Sequence, residues 1–305
     1  MERSPVVSVV LCSYNGEKYL EAQLNSILTQ TYSSLEIIIC DDASTDSTQK
    51  IIIAYAQKDT RIQYFFNDKN IGVNRNFEQG FAKAGGEFIA IADQDDIWKP
   101  EKIQKQLALF TSEDIVLVHT ASVIFSGNTL PVNKTANKAV NLMEGNDFRK
   151  LLLRNSISGH NIICRAALLD IAIPFPQFVY YDWWLCQVAT VKGRIAASAE
   201  ILAFQRKHDN NITISDKQSG QTNKVVKERL AALQSFLMIP GLKESDRLFC
   251  KKLLGLYGEL AYKKNSFELF SFLLKNAKVF FFYKKKWFPY ISYIKTARQL
   301  SKVVD

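Results

Sequence analysis

The segment Phe88-Ile-Ala-Ile-Ala-Asp-Gln-Asp-Asp-Ile-Trp98 joins a strand-like run to a cluster of carboxylates. Residues 88–92 are apolar and typical of a buried strand, and Asp93, Asp95 and Asp96 follow directly. Carboxylates at the end of a buried strand repel one another and lose hydration, so a partner must offset that cost. A divalent cation that also binds a diphosphate is one such partner, and a solvated acidic turn is the simpler alternative.

Apolar strands and helical segments alternate around this segment. The sequence predicts strands at residues 6–13, 35–40, 62–66, 88–92 and 115–119. It predicts helices at about 17–30, from Ser44 or Thr45 to about 57, at 75–84, and after Pro100. This order predicts an α/β fold with a mostly parallel sheet and helices on both faces.

Polar residues follow three of these strands at their carboxyl ends, where such sheets bind ligands. Ser13, Tyr14 and Asn15 follow the first strand, Asp41 and Asp42 the second, and the Asp93 cluster the fourth. We therefore expect one ligand site at this edge of the sheet.

Several classes of protein are disfavoured by the sequence. The first βα turn lacks G-x-G-x-x-G, and no P-loop or serine nucleophile elbow occurs, which leaves a nucleotide site built from carboxylates and a metal. Five widely spaced cysteines indicate neither a disulfide framework nor structural zinc. No signal-peptide pattern and no apolar run of about 20 residues occurs, so we expect a cytoplasmic protein.

Four segments in order resemble family 2 glycosyltransferases, which have the GT-A fold. They are residues 9–16 (VVLCSYNG), 38–46 (IICDDASTD), 70–76 (NIGVNRN) and 92–98 (ADQDDIW), and the resemblance covers about residues 6–215. The last of them, with residues 205–211 (QRKHDNN), is most similar to bacterial rhamnosyltransferase-type enzymes of surface-polysaccharide assembly.

The resemblance implies roles for the donor side of the site. Asp42 would bind the pyrimidine of the donor, unless it is only a turn or cap residue, and Asn15 would join this site with Ser13 and Tyr14 lining the base and ribose. Asp95 would ligate Mg²⁺ or Mn²⁺. Asp93 would contact ribose or sugar hydroxyls and would also bind the metal through a water molecule. Asp96 is interpreted as capping the next turn.

Other roles implied by the family are spread along the chain. Asp182, in residues 179–184 (VYYDWW), would be the catalytic base, although it is also placed to cap a helix and Tyr181 precedes it where the family has an E-D pair. Arg206 and His208 would contact phosphate or metal. Arg75 would face the nucleotide or pair with a surface acid. His160 and Asn161 are acceptor-side candidates or structural residues, and His119 is interpreted as structural.

The C-terminal region is basic and helical. Residues 246–303 contain 13 Lys or Arg and 3 Asp or Glu, a balance of +10 in a chain whose net charge is +9. Lysines alternate with aromatics in residues 275–293, which predicts an anionic membrane surface as partner, with a packed subdomain or a homodimer contact as alternatives. Nucleic acid is a poor fit because no recognised nucleic-acid module accompanies the charge.

The sequence thus predicts a GT-A domain over residues 1–220 and a basic helical region over 221–305. The expected activity is inverting transfer of a sugar from a nucleotide diphosphate-sugar to a saccharide or lipid-linked acceptor, at the cytoplasmic face of the membrane. The alternatives are a metal-dependent sugar nucleotidyltransferase and a binding module without turnover.

Overall fold

A computed structural model describes residues 4–127, 129–131, 141–208, 222–284 and 289–302, with side chains from 225 onward in the helix that begins at 222. The elements of its first part are β1 (Val7–Ser13), α1 (Leu20–Leu28), β2 (Leu35–Asp41), α2 (Thr48–Ala56), β3 (Ile62–Phe66), α3 (Val73–Lys83) and β4 (Phe88–Asp93). They are followed by β5 (Ile97–Trp98), α4 (Lys102–Leu107), β6 (Ile115–Phe125), β7 (Ile162–Arg165), α5 (Leu169–Ala172), α6 (Tyr181–Lys192) and β8 (Arg194–Arg206).

The described strands form one eight-stranded sheet in the order β3-β2-β1-β4-β7-β6-β8-β5. Its first four strands are parallel, as their β-α-β connections require, and the short strand β7 then runs antiparallel to both β4 and β6. The predicted α/β fold is confirmed: the sheet is parallel over β1 to β4 and again between β6 and β8, and it is antiparallel where β7 and β5 pair.

Both faces of the sheet are covered by helices. Leu24 of α1 and Ile52 of α2 are fully buried against one face. Phe77 of α3 and Leu185 of α6 are buried against the other. Burial on both faces explains why β1, β2 and β4 are continuous apolar runs rather than alternating ones.

The predicted cap of α2 is wrong. The helix begins at Thr48, and neither Ser44 nor Thr45 caps it. The helix begins four residues after Ser44, and Ser44 instead donates its hydroxyl and its backbone N–H to the Asp41 carboxylate at the end of the preceding strand.

Five helices follow residue 221 in the described part of the chain: α7 (Thr222–Phe236), α8 (Glu244–Leu260), α9 (Phe267–Lys275), α10 (Ala277–Phe280) and α11 (Pro289–Leu300). Their buried residues, among them Phe236 and Leu253, belong to the same apolar cluster as Trp184 of α6. The predicted domain boundary at 220 lies outside the described residues and stays a prediction.

The aromatics of residues 280–283 mostly face this core. Phe280 and Phe281 are 0% and 1% exposed. They are therefore not the residues that a membrane would meet, and residues 285–288, with the lysines and tryptophan of the predicted segment, lie outside the described part. No helix in the described ranges is both long enough and apolar enough to cross a bilayer.

Candidate active site

The carboxyl ends of β1, β2 and β4 meet at one edge of the sheet, as predicted. Ser13 pairs in register with Asp41, and Cys12 pairs with Asp93. The polar residues that follow these strands are therefore neighbours.

Ser13 and Tyr14 have different surroundings. Ser13 is 2% exposed, and its hydroxyl donates to the Asp41 carboxylate at 2.8 Å. Tyr14 is 47% exposed at the rim of the site. Of these two predicted donor contacts, only Tyr14 has a side chain open to a ligand here.

Asn15 connects the loops after β1 and β2. Its φ of 48° is in the left-handed region, which asparagine adopts more readily than most residues. Its backbone N–H donates to the Ser44 hydroxyl at 2.8 Å, and its Oδ1 accepts from the Thr45 N–H at 2.9 Å. Its donor-binding role stays a prediction, since these polar atoms already hold the two loops together.

Gln94 connects the loops after β1 and β4. Its Oε1 accepts from the Tyr14 N–H at 2.9 Å, and its Nε2 donates to the Tyr14 carbonyl at 3.1 Å. A Cβ on Gly16 would lie 2.2 Å from that Oε1, so a larger residue at position 16 would displace the amide from this position. Gln94, the middle residue of the Asp93–Asp95 motif, therefore has a structural role: it holds the loops after β1 and β4 together.

Asp42 is 3% exposed and accepts three hydrogen bonds. The donors are the Ile71 N–H at 2.8 Å, the Gly72 N–H at 2.9 Å and the Asn67 side chain at 3.0 Å. The carboxylate therefore orders the loop before α3. Its role in recognising a pyrimidine stays a prediction.

Asp95 and His208 form a pair, although they are distant in sequence. Asp95 Oδ2 lies 2.6 Å from His208 Nε2, and the imidazole stacks on the Tyr19 ring at 4.8 Å. The two side chains are 15% and 16% exposed. Burial, and secondarily the charge of Asp93, raises the pKa of Asp95.

Arg206 is 5% exposed and holds the strand end in place. Its guanidinium donates to the carbonyls of Asp95 and Gly127. The Tyr19 and Phe125 rings lie 4.8 and 4.5 Å from it. Contact with the donor, as predicted for Arg206, stays a prediction.

Asp93, Asp96 and His160 form a second cluster, with ligand atoms all within 4.8 Å of one another. His160 Nδ1 lies 3.3 Å from Asp96 Oδ2 and 3.6 Å from Asp93 Oδ2. Asp93 has a 38% exposed side chain, whereas Asp96 and His160 are almost fully buried. Burial raises the pKa of Asp96 to about 7. Burial alone would lower the pKa of His160, but Asp96 and Asp93 raise it overall.

A buried lysine near this cluster was not found by sequence reasoning. Lys102 is 0% exposed, with Nζ 2.7 Å from Gln106 Oε1 and 3.9 Å from the centre of the Trp98 ring. Gln106 in turn donates to the Asn161 carbonyl at 2.6 Å. Lys102 follows Pro100 and Glu101 at the start of α4, a composition that is typical of an exposed first helical turn. No local pattern in the sequence therefore indicates that this lysine is buried.

Lys102 makes stability depend on pH in a predictable direction. Burial lowers the pKa of Lys102 to about 7, so between pH 7 and 10.5 the unfolded chain binds a proton that the folded chain does not. Over that window this residue makes the wild type more stable as the pH rises. Compared with Lys102→Met, the wild type should therefore gain on the order of 3 kcal/mol in free energy of unfolding from pH 7 to 10.5.

Urea unfolding of both proteins at several pH values measures this difference. Lys58→Met, at an exposed position, is the control and should track the wild type at every pH. A Lys102→Met variant that also tracks it would show that the lysine keeps its ordinary pKa.

Asp182 lies in the first turn of α6 and is half-buried. Its Oδ1 accepts from the Trp183 N–H at 2.7 Å, with further hydrogen bonds from Asn155 and the Gly159 backbone. Burial raises the pKa of this carboxyl to about 6, and these bonds limit the rise. A carboxylate of that pKa is suited to accept a proton near neutral pH.

The loop before α6 is fixed by one side chain of α3. Asn74 donates to the Val179 carbonyl at 2.6 Å and accepts from the Tyr181 N–H at 3.0 Å. Asn74 belongs to residues 70–76, the third of the four segments that resemble the family. This segment therefore orders the backbone beside Asp182.

Arg75 pairs with Glu78 of its own helix, at 2.8 Å, on an exposed surface. This is the alternative that the sequence left open, and donor binding by Arg75 stays a prediction. His119 is buried and bonds the Met143 carbonyl, in keeping with a structural role.

The family model for glycosyl transferase family 2 matches residues 8–171. A glycosyltransferase of Nostoc sp. is 30% identical over 67% of this chain and 66% of its own length. The teichuronic acid biosynthesis glycosyltransferase TuaG of Bacillus subtilis is 30% identical over 54% of this chain and 62% of its own length. These two matches thus span slightly under two thirds of each relative. The Escherichia coli β-1,3-glucosyltransferase WfgD, named for UDP-Glc and α-D-GlcNAc-diphosphoundecaprenol, is 28% identical over 59% of this chain and 68% of its own length.

Solved structures share the fold. TarS of S. aureus in complex with UDP-GlcNAc has a TM-score of 0.59 and 20% identity, over 90% of this chain and 81% of that one. The mannosyltransferase PcManGT of Pyrobaculum calidifontis, in complex with GDP-Man and Mn²⁺, has a TM-score of 0.61 and 15% identity, over 98% and 86%. At these identities the likeness concerns the fold alone.

Proposed function

Because this chain belongs to glycosyl transferase family 2, we propose that it moves a sugar from a nucleotide diphosphate-sugar to a saccharide or lipid-linked acceptor, inverting the anomeric centre. The names of TuaG and WfgD support a place in cell-surface polysaccharide assembly. The proposed donor is dTDP-rhamnose or a UDP-hexose, in keeping with the rhamnosyltransferase-like motifs.

One observation carries the proposal: the Asp95–His208 pair, the partly exposed Asp93 carboxylate and Asp182 lie close together beside the carboxyl end of β4. Asp93 and Asp95 are two residues apart at the end of β4, His160 Nδ1 lies 3.6 Å from Asp93 Oδ2, and the backbone of the neighbouring Gly159 hydrogen-bonds Asp182. This arrangement supports a donor site beside a base.

The ligand chemistry of the Asp95–His208 pair and of Asp93 suits a hard divalent cation, although in the described part of the chain only Asp93, Asp96 and His160 bring three ligand atoms within 4.8 Å of one another. Carboxylate oxygens and an imidazole nitrogen are ligands for Mn²⁺ and Mg²⁺, and these side chains retain exposure toward a diphosphate. The Asp93–Asp96–His160 cluster is a weaker fit, since two of its three side chains are buried. When bound, the metal would neutralise charge that develops on the diphosphate leaving group.

Asp182 would take the proton of the attacking hydroxyl. Its hydrogen bond from Trp183 fixes one oxygen, so the carboxylate has a defined orientation. The raised pKa makes it a stronger base than an ordinary aspartate, while it is still ionised above pH 6. Arg206, behind Asp95, would keep the metal-side loop in position.

Calorimetric titration with UDP, dTDP and GDP, each with and without Mn²⁺, tests the donor site. We expect one nucleotide to bind, and to bind at least about tenfold more tightly with Mn²⁺. Preference for dTDP would favour rhamnose, and preference for UDP a hexose. If the folded protein binds none of them, the proposal is wrong. Binding of a nucleotide-sugar that is never transferred or hydrolysed would favour the binding-module alternative.

The proposal includes a location at the cytoplasmic membrane face, held by the basic C-terminal region. A lipid-linked acceptor would be reached there. A homodimer is a further prediction, which sedimentation velocity measures.

A further inference from the structure

A groove of about 530 Å³ is lined by residues of α9, α10 and α11. Its lining combines apolar and cationic side chains: Leu274, Lys275, Lys278, Val279, Tyr290 and Ile294. Lys275 and Lys278 are exposed at its rim. The groove thus offers an apolar floor beside two positive charges.

The exposed face of α11 continues this surface. Tyr290, Ile291 and Ile294 are 67%, 74% and 47% exposed, and they lie within about one turn of one another. Lys295 and Arg298 follow on the same helix and are exposed. We call the groove and these exposed residues of α11 together the α11 surface.

The sequence that contains this surface carries charge of a single sign. Residues 269–304 contain eight Lys or Arg (275, 278, 284, 285, 286, 295, 298 and 302) and neither Asp nor Glu. Because the whole chain has a net charge of +9, all other residues together contribute +1 (9 − 8). A partner of the α11 surface must therefore be anionic as well as apolar.

We propose that the α11 surface binds a bilayer that contains anionic phospholipid. Tyr290, Ile291 and Ile294 enter the headgroup region, and Lys275, Lys278, Lys295 and Arg298 contact lipid phosphates. Aromatic and branched apolar residues next to Lys and Arg are the composition that interfacial helices use. The inference rests on the proposed function for its setting, because a lipid-linked acceptor is presented at a bilayer.

The sequence predicts that residues 275–293, including the aromatic run at 280–283, lie at the membrane surface. The structure buries Phe280 and Phe281 and exposes the apolar side chains of α11 instead. Within and just after the predicted segment, the membrane-facing apolar residues are thus those of α11 and not Phe280 and Phe281.

Co-sedimentation of the full-length protein with vesicles tests the proposal. The vesicles are phosphatidylcholine alone, or phosphatidylcholine with about 30% phosphatidylglycerol, at about 0.1 M salt. We expect binding to the anionic vesicles at least about tenfold stronger than to neutral ones, and weaker binding at about 0.5 M salt.

Two double variants separate the apolar from the electrostatic contribution. Ile291→Ser with Ile294→Ser, and Lys275→Glu with Lys278→Glu, should each lower binding by at least about tenfold. All four side chains are exposed, so the fold should be kept. The matched controls are Tyr262→Ser, at a position 93% exposed, and Lys50→Glu with Lys58→Glu, in and just after α2, and both should bind like the wild type.

Other results would overturn the assignment. Equal binding to neutral vesicles, or full binding by both double variants, would show that another surface is used. If about 10 mM inorganic phosphate displaces the protein at constant ionic strength, the lysines form a phosphate site. Self-association lost in the Ile291→Ser, Ile294→Ser variant, without vesicle binding, would make the α11 surface a dimer contact.

Nucleotide titration of the same variants keeps this test apart from catalysis. Their affinity for nucleotide with Mn²⁺ should equal that of the wild type. Vesicle binding without nucleotide binding would leave the membrane surface standing and the proposed activity wrong. Nucleotide binding without vesicle binding would leave the proposed activity standing and would show that the α11 surface does not bind a membrane.

Discussion

Replacing Asp95 by Asn is expected to lower kcat/KM for sugar transfer by about 10²–10³-fold and to remove the effect of Mn²⁺ on nucleotide binding. The amide keeps the shape of the carboxylate and can still accept from His208, which lies 2.6 Å away in the wild type. It cannot supply the negative charge that a divalent cation requires. The loss should therefore appear without unfolding.

Calorimetry with nucleotide and Mn²⁺, together with initial rates, measures both effects. Asp68→Asn is the control, since Asp68 is exposed in the loop before α3 and has no proposed contact with metal. If Asp95→Asn retains metal-dependent activity, Asp95 is not a ligand. The Asp93–Asp96–His160 cluster would then be the metal site to test.

Replacing Asp182 by Asn is expected to lower transfer by about 10²–10⁴-fold while the affinity for the donor nucleotide stays unchanged. Wild-type kcat/KM should rise as the pH increases through about 6 and then level off, because the base acts only when it is ionised and its pKa is raised to about 6. The amide introduced in the Asp182→Asn variant would keep the hydrogen bond from the Trp183 N–H but could not accept a proton.

The same variant should be more stable than the wild type at neutral pH. Because the pKa of Asp182 is higher in the folded than in the unfolded chain, the ionised carboxylate costs folding free energy above pH 6. Removing the charge should raise the free energy of unfolding by about 1–3 kcal/mol at about pH 7.5. The gain should shrink as the pH falls toward about 4, where the carboxyl becomes protonated in both states.

Rates, nucleotide affinity and urea unfolding of Asp182→Asn across this pH range test these expectations together. Asp170→Asn, at an exposed position of α5, is the control. A variant that transfers sugar at the wild-type rate would exclude Asp182 as the base. A loss of both rate and nucleotide affinity would mean that the residue serves donor binding.

The strands could be predicted from the sequence because apolar runs and helical periods report which backbone segments are buried. The end of β4 at Asp93 and the meeting of three strand ends follow from that pattern. What each polar side chain does at those ends could not be predicted in the same way. Ser13 and Tyr14 are adjacent in sequence, yet one is buried against Asp41 and the other is exposed.

Long-range polar contacts were the least visible from the sequence. The burial of Lys102 depends on Trp98 and Gln106 packing around it, and the contact of Gln106 with Asn161 joins residues far apart in the chain. Such contacts have no period and no local motif. They arise only when the sheet brings distant segments together, which is why His160 could not be distinguished from an acceptor-side residue.

The tryptophan rings that follow Asp182 pack against α7, the first helix of the C-terminal region. Trp183 and Trp184 lie 5.3 and 6.3 Å, centre to centre, from the Phe236 ring of α7. Exchanging the C-terminal helices with those of a relative would therefore also change the packing of the rings beside Asp182. The C-terminal helices thus contribute to the structure of the candidate active site as well as to any contact with a membrane.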